Sequence, residues 1–410
     1  MIVAPPAPIH HPQRLQTITI VSHALLIHTY LGIFSPSEYA TLATAMRLLQ
    51  RICVVLLCLS LAAFGFALDQ PQAPLPLASS ASGPRNRTVS ASLFAELEEL
   101  ARIVDITYCV GLTGLGISKP FKCASRCNEF PGFELITAWN TGPLLSDSCG
   151  FIALSHRPEP RVIIAFRGTY SLTNTIVDLS TIPQEYVPYP GDDDSPNVKP
   201  PRCDNCAVHS GFYKSWINTR DQILNHVLLA TEMYPHYKLT LVGHSLGGAV
   251  AALAALDFKS RGWDPHVTTF GEPRVGNHEL AQYIDKRFNL TANMNATESK
   301  FRRVTHMGDP VPLLPVEEWG YRMHGGEIFI GKPDLPPSVG DVHYCSGDED
   351  DECIAGDDPR AWIPARFKLW QLFWAHRDYF WRLGLCVPGG DPWNWKGWQA
   401  GAEIGEEDEL

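Results

Sequence analysis

Residues 238–250 read KLTLVGHSLGGAV. Leu239, Leu241 and Val242 form the apolar end of a buried strand. Gly243-His244-Ser245-Leu246-Gly247 fits G-x-S-x-G, and Gly248 to Leu256 continues as an Ala-rich helix. Strand, sharp turn and helix in that order make a nucleophile elbow. The glycines flank Ser245 because the turn brings its neighbours too close for a Cβ. The turn lifts the serine hydroxyl to the top of a sheet, beside a helix N-terminus that favours developing negative charge. An ordinary turn serine needs neither the strand before it nor the small-residue helix after it.

The chain has 410 residues and a formal charge of −11. That length admits one large α/β domain or two small ones. The acidic balance argues against nucleic acid as a partner. Nine cysteines lie outside the apolar run at 52–67, a number that suits an oxidising compartment with disulfides. Cys203-Asp-Asn-Cys206 has the spacing of half a zinc site, but no second CxxC follows at ligand spacing.

Residues 46–51 are short and basic, 52–67 are apolar and uncharged, and Gly65-Phe66-Ala67 supplies small residues at a cleavage point. This is the layout of a signal peptide over 46–67, with 1–45 an over-extended gene model or a disordered stretch. The alternative is a signal anchor, for which the run is short. Residues 68–88 read as a Pro/Ala/Ser-rich linker and 391–410 as an acidic tail. Asn86, Asn289 and Asn295 head glycosylation tripeptides, consistent with secretion.

Between them, 92–109 has helical periodicity with Ser92 as its N-cap. Strands are expected at 161–166, 266–271, 301–306 and 326–330, and helices at 210–233, 277–288 and 361–379. Strands alternating with helices from 161 to 306 indicate an α/β sheet with crossover helices.

A serine nucleophile needs a base, and the base needs an orienting carboxylate. Asp309 follows strand 301–306 and precedes Pro310-Val-Pro312, which stiffens its loop. Asp341 competes for that role, while Asp264 and Asp285 sit on or beside helices. The base must come later in the chain; His324, His343 and His376 all qualify, and these mechanics do not separate them. His306 reads as structural. Leu246 supplies one oxyanion N–H, and Thr169, at the strand exit Phe166-Arg-Gly-Thr169, supplies the other.

Seven stretches in order carry a resemblance: SLFAELEELARIVDITYC (92–109), IIAFRGT (163–169), CDNCAVHSGFYKSW (203–216), LTLVGHSLGGAVAALAAL (239–256), TTFGEPRVGN (268–277), FRRVTHMGDPVPLLP (301–315) and AHRDYFWRLGLC (375–386). Together they resemble the fungal class 3 lipase family. The resemblance implies an α/β-hydrolase fold over 89–390: a central, mostly parallel sheet flanked by helices, with a lid segment after the oxyanion strand. It implies a triad of Ser245, Asp309 and His376, because His376 stands in the family's H-x-x-Y-F context, with Thr169 and Leu246 as the oxyanion pair. It also implies disulfides Cys109–Cys386, Cys123–Cys127, Cys203–Cys206 and Cys345–Cys353, leaving Cys149 free.

The implied lid covers 170–178, with Leu172, Ile176 and Val177 on an apolar face and Thr175 where the lipases carry tryptophan. Thr175 and the polar Arg377-Asp378 beside His376 depart toward the feruloyl esterase branch. The expected enzyme is a secreted, monomeric ester hydrolase acting on acylglycerols with transient contact at a lipid surface. Its alternative is an esterase on aromatic cell-wall esters. The chemistry requires no metal and no organic cofactor.

Overall fold

The structure is a computed structural model that describes residues 87–111, 116–142, 148–169, 183–188, 202–290, 299–356 and 374–388. The expected extension, signal peptide and linker (to Asn86), the lid residues Leu172, Thr175, Ile176 and Val177, Asn295 and the acidic tail lie outside these residues.

Eight strands form the main sheet: β1 (Phe133–Asn140), β2 (Cys149–Ser155), β3 (Arg161–Phe166), β4 (Lys238–His244), β5 (His266–Phe270), β6 (Phe301–His306), β7 (Glu327–Ile330) and β8 (Val342–Tyr344). Their order across the sheet is their order in the chain. The pairings from β3 to β7 are parallel, and the outer ones, β1–β2, β2–β3 and β7–β8, are antiparallel. The expectation of a mostly parallel sheet flanked by helices therefore holds.

Among the described residues, four long helices cover the sheet: α1 (Ala91–Ile106), α2 (Ser210–Met233), α3 (Leu246–Ser260) and α4 (His278–Phe288). Successive strand residues point to opposite faces, so the sheet sorts its apolar residues into two cores. Ile152, Val162, Ile164, Leu239 and Leu241 pack with α2, α3 and α4 on one face. Phe151, Ile163, Ala165, Val242, Phe270 and Val304 pack with α1 on the other. Every residue of α3 from Leu246 to Phe258 is buried. Its alanines and glycines let the helix backbone lie close to β3, β4 and β5 without leaving voids.

Two local expectations change. The N-cap of α1 is Ser90, whose Oγ accepts the Leu93 N–H; Ser92 sits inside the first turn and bonds back to Ser90. The expected helix over 361–379 does not reach Tyr379. Asp378–Tyr379 pairs with Trp381–Arg382 in a small hairpin, turned by Phe380 at φ 56°. Just beyond the hairpin, the Gly384 N–H is held by Asp105 of α1.

Candidate active site

The chain leaves β4 at His244 and enters α3 at Leu246, with Ser245 between them at φ 58°, ψ −131°. That left-handed φ is costly for a residue with a Cβ. It persists because both flanks are locked. The Ser245 N–H donates to the Phe270 carbonyl at 2.9 Å. A Cβ on Gly243 would stand 2.2 Å from the Gly247 oxygen, and one on Gly247 would stand 2.4 Å from the Phe166 oxygen. The elbow is wedged between β3 and its own helix, and only glycine fits at either place.

The exit of β3 lies against the same turn. Arg167 N–H donates to the Cys149 carbonyl at 2.8 Å, and Arg167 Nη1 donates to the Val110 carbonyl at 2.5 Å. A Cβ on Gly168 would stand 2.7 Å from the His244 oxygen and 2.8 Å from the Ser245 Cβ. Thr169, next along, is therefore carried to the nucleophile's side. Leu246 opens α3, and its N–H is one of the first-turn donors that have no partner within a helix.

Asp309 follows β6 through Gly308 at φ 77° and is fully buried. Its Oδ1 accepts the Val311 N–H at 2.9 Å, and its Oδ2 accepts the Tyr379 hydroxyl. Its two oxygens lie 3.0 and 2.9 Å from His376 Nδ1. Burial pushes the Asp309 carboxyl up. The charge of the facing His376, with hydrogen bonds from His376, Tyr379 and the Val311 amide, outweighs burial and holds it below the ordinary carboxylate range. Gly271, at φ 58°, completes the floor: a Cβ there would stand 2.9 Å from His376 Cε1 and 3.0 Å from Asp309 Oδ2.

Ser245 Oγ, His376 Nε2 and Thr169 Oγ1 are buried and have no hydrogen-bond partner among the described residues. A buried polar atom without a partner is expensive, and three of those among the described residues belong to the residues singled out for nucleophile, base and oxyanion loop. Contacts between nucleophile and base are often long before substrate binds.

The competing candidates are occupied elsewhere. His324 faces Glu272 Oε1 at 3.0 Å and the Gly325 carbonyl at 2.9 Å. The His343 ring packs on Phe329. Asp341 closes a capping box with Ser338, Asp285 accepts the Gly325 N–H, and Asp264 pairs with Lys259 and Lys300. None of these interactions involves Ser245.

The hairpin that carries His376 is tethered to the end of α1. Cys109 and Cys386 are bridged, and Asp105 Oδ1 accepts the Gly384 N–H at 2.7 Å. Arg377 is buried and donates to the Leu383 and Gly384 carbonyls, while Asp378 holds Arg382 at 2.8 and 3.0 Å. The polar pair that suggested a feruloyl esterase is thus built into the hairpin. The structure also bridges Cys123 to Cys127, Cys203 to Cys206 and Cys345 to Cys353. The Cys203–Cys206 bridge leaves no thiolate there for zinc. Cys149 is a buried free thiol, its Sγ 3.0 Å from Asn140 Oδ1. Asn289 is exposed at the left-handed C-cap of α4.

Sequence reasoning assigned no role to Tyr379 or Tyr108. Tyr379 stands in the H-x-x-Y-F context that pointed to His376, and that spacing was its signal. Nothing in the sequence signals that Tyr108, at the end of α1, reaches His244.

A family profile, Lipase (class 3), matches residues 163–319. Lipase A of Sodiomyces alcalophilus is 54% identical, over 90% of this chain and 98% of its own length. The chain belongs to the class 3 lipases. The secreted mono- and diacylglycerol lipase 2 of Gibberella zeae is 50% identical, over 85% of this class 3 lipase and 96% of its own chain. The crystal structure of the Lip2 lipase from Yarrowia lipolytica superposes with a TM-score of 0.64 at 33% identity, over 74% of this chain and 99% of that one. As a member of this family the protein is a carboxylic ester hydrolase. Among the described residues, no helix is long and apolar enough to cross a membrane.

Proposed function

We propose that this class 3 lipase is an extracellular enzyme that hydrolyses acylglycerols with Ser245, His376 and Asp309. The observation that carries the reading is the Asp309–His376 pair, 2.9 Å apart, with the His376 ring 4.7 Å from that of His244, the neighbour of a strained serine whose hydroxyl is buried without a partner. Asp309 accepts from Nδ1, which leaves Nε2 bare to take the proton from Ser245 as Oγ attacks the ester carbonyl. The N–H groups of Thr169 and Leu246 receive the developing oxyanion. His376 then passes its proton to the leaving alcohol, and water repeats the sequence on the acyl-enzyme. The names of the relatives favour acylglycerols over aromatic esters, and the burial of Arg377 and Asp378 removes one reason for the latter.

The test compares turnover on an emulsified diacylglycerol with turnover on methyl ferulate, with Ser245→Ala as the blank. The emulsion is expected to be preferred. Ser245→Ala is expected to lower kcat by about a million-fold with an unchanged melting temperature. Near-wild-type turnover in that variant would refute the assignment.

A further inference from the structure

His244 precedes the nucleophile and does no chemistry in the scheme above, yet its side chain is fully engaged. The ring is buried. Nε2 lies 2.8 Å from the main-chain carbonyl of His376, and Nδ1 lies 2.5 Å from the Tyr108 hydroxyl. A carbonyl only accepts, so Nε2 carries the proton; Nδ1 is then bare and accepts from the Tyr108 O–H. Each contact dictates the tautomer that the other needs. Burial, then the neighbouring His376, keeps the ring neutral by holding its pKa well below the ordinary histidine value. The two imidazoles lie 4.7 Å apart at 32°.

The carbonyl that receives this bond belongs to a residue that no ladder of the main sheet holds. His376 lies outside the main sheet, just before a hairpin whose strands are two residues each. Asp309 fixes the orientation of its imidazole through Nδ1 but does not fix where its Cα stands. A main-chain position is fixed by main-chain bonds, and His244 supplies one from the residue adjacent to the nucleophile.

We propose that Tyr108 and His244 are positioning residues for the base. They form a relay from the end of α1, through the neighbour of Ser245, to the carbonyl of His376, and so set the distance between nucleophile and base. Misplacement by about 1 Å costs on the order of a hundred-fold in rate, so a single well-placed bond at this point has a large effect on turnover. The inference rests on the Ser245–His376–Asp309 reading given under Proposed function.

The experiment measures kcat, KM and melting temperature on soluble p-nitrophenyl butyrate. It also records the low-field proton resonance of His376 Nδ1–H. The variants are His244→Phe, His244→Gln, Tyr108→Phe and Ser245→Ala. His244→Phe keeps the ring and removes both bonds; kcat is expected to fall about a hundred-fold, with KM within about two-fold. His244→Gln returns an amide donor near the Nε2 position, and kcat is expected to recover at least about tenfold relative to His244→Phe. Tyr108→Phe is expected to lower kcat about tenfold and to shift the low-field resonance. Wild-type kcat in His244→Phe would overturn the proposal, as would a glutamine variant no faster than the phenylalanine one. Should His244→Phe fail to fold, Tyr108→Phe decides alone, and wild-type kcat and resonance there overturn it. Substantial turnover in Ser245→Ala would instead overturn the triad reading beneath it.

Discussion

The two halves of the candidate active site are built in different ways. Ser245 stands at the centre of the sheet, and what holds it lies in β4, α3 and the two strands flanking β4: Gly243 and Gly247, the Phe270 carbonyl of β5 and the end of β3. His376 stands just before a two-stranded hairpin outside that sheet. Its supports come from far along the chain: the Cys109–Cys386 bridge, the Asp105 carboxylate and Asp309. A site on the sheet inherits rigidity from backbone ladders. A site on a hairpin must be tied down by individual bonds, and each of these can be cut separately.

Cutting them one at a time tests the contrast. Asp309→Asn removes the acceptor that fixes the His376 tautomer, and kcat is expected to fall about ten-thousand-fold with little change in KM; steady-state kinetics checks this. A loss below about tenfold would mean that the hairpin orients its own histidine.

Replacing both Cys109 and Cys386 with alanine opens a loop spanning 277 residues. Denaturant unfolding is expected to show a loss of about 4 kcal/mol. In the folded fraction, Ser245 should still react with a phosphonate probe, but more slowly. Equal losses of stability and reactivity in the elbow and the hairpin would erase the distinction between them.

Asp105 gives a dependence on pH. Burial raises its pKa to about 6 in the folded protein, against the opposing pull of Arg126. A raised carboxyl pKa means that the folded state holds its proton more tightly than the unfolded chain does. Stability is therefore lost as pH rises from about 4 to about 6, by about 3 kcal/mol over the window. Asp105→Asn is expected to flatten that slope in melting temperatures measured from pH 4 to 7. An unchanged slope would show that the carboxylate is not buried at the hairpin's foot. The smallest expected effect is that of Tyr379→Phe, which removes one of the donors to Asp309 and should lower kcat about tenfold. An equal effect on KM would mean that the hydroxyl meets substrate instead.

The same contrast explains what could be read in the chain beforehand. The elbow, β3, β6 and α2 are local objects, and their apolar periods and glycines announce them. The expectations for Asp309 and Thr169 came from the positions of strand ends, and β6 and β3 do end at His306 and Phe166, just before them. No strand was expected before Arg161, because the register shift between Leu135 and Thr137 breaks the alternation of β1 and because β2 is buried along its whole length. An unbroken apolar run does not distinguish a strand from a buried helix. Asp378–Tyr379 was read as the end of a helix because the partners that hold the chain beyond them, Asp105 and Cys109, are more than 270 residues away. His324, His343 and His376 were separable only by resemblance, for the same reason.

The Cys109–Cys386 bridge joins a residue made early to one made late, and this orders events during synthesis. A nascent chain that has reached β6 already possesses its strained serine, the exit of β3 and most of the central sheet. It lacks His376, the base of the proposed triad, and the hairpin that follows it has no anchor until Cys386 emerges. Translation itself thus acts as a safety catch, keeping a hydrolase inert among the membranes where it is made until nearly the whole fold is in place.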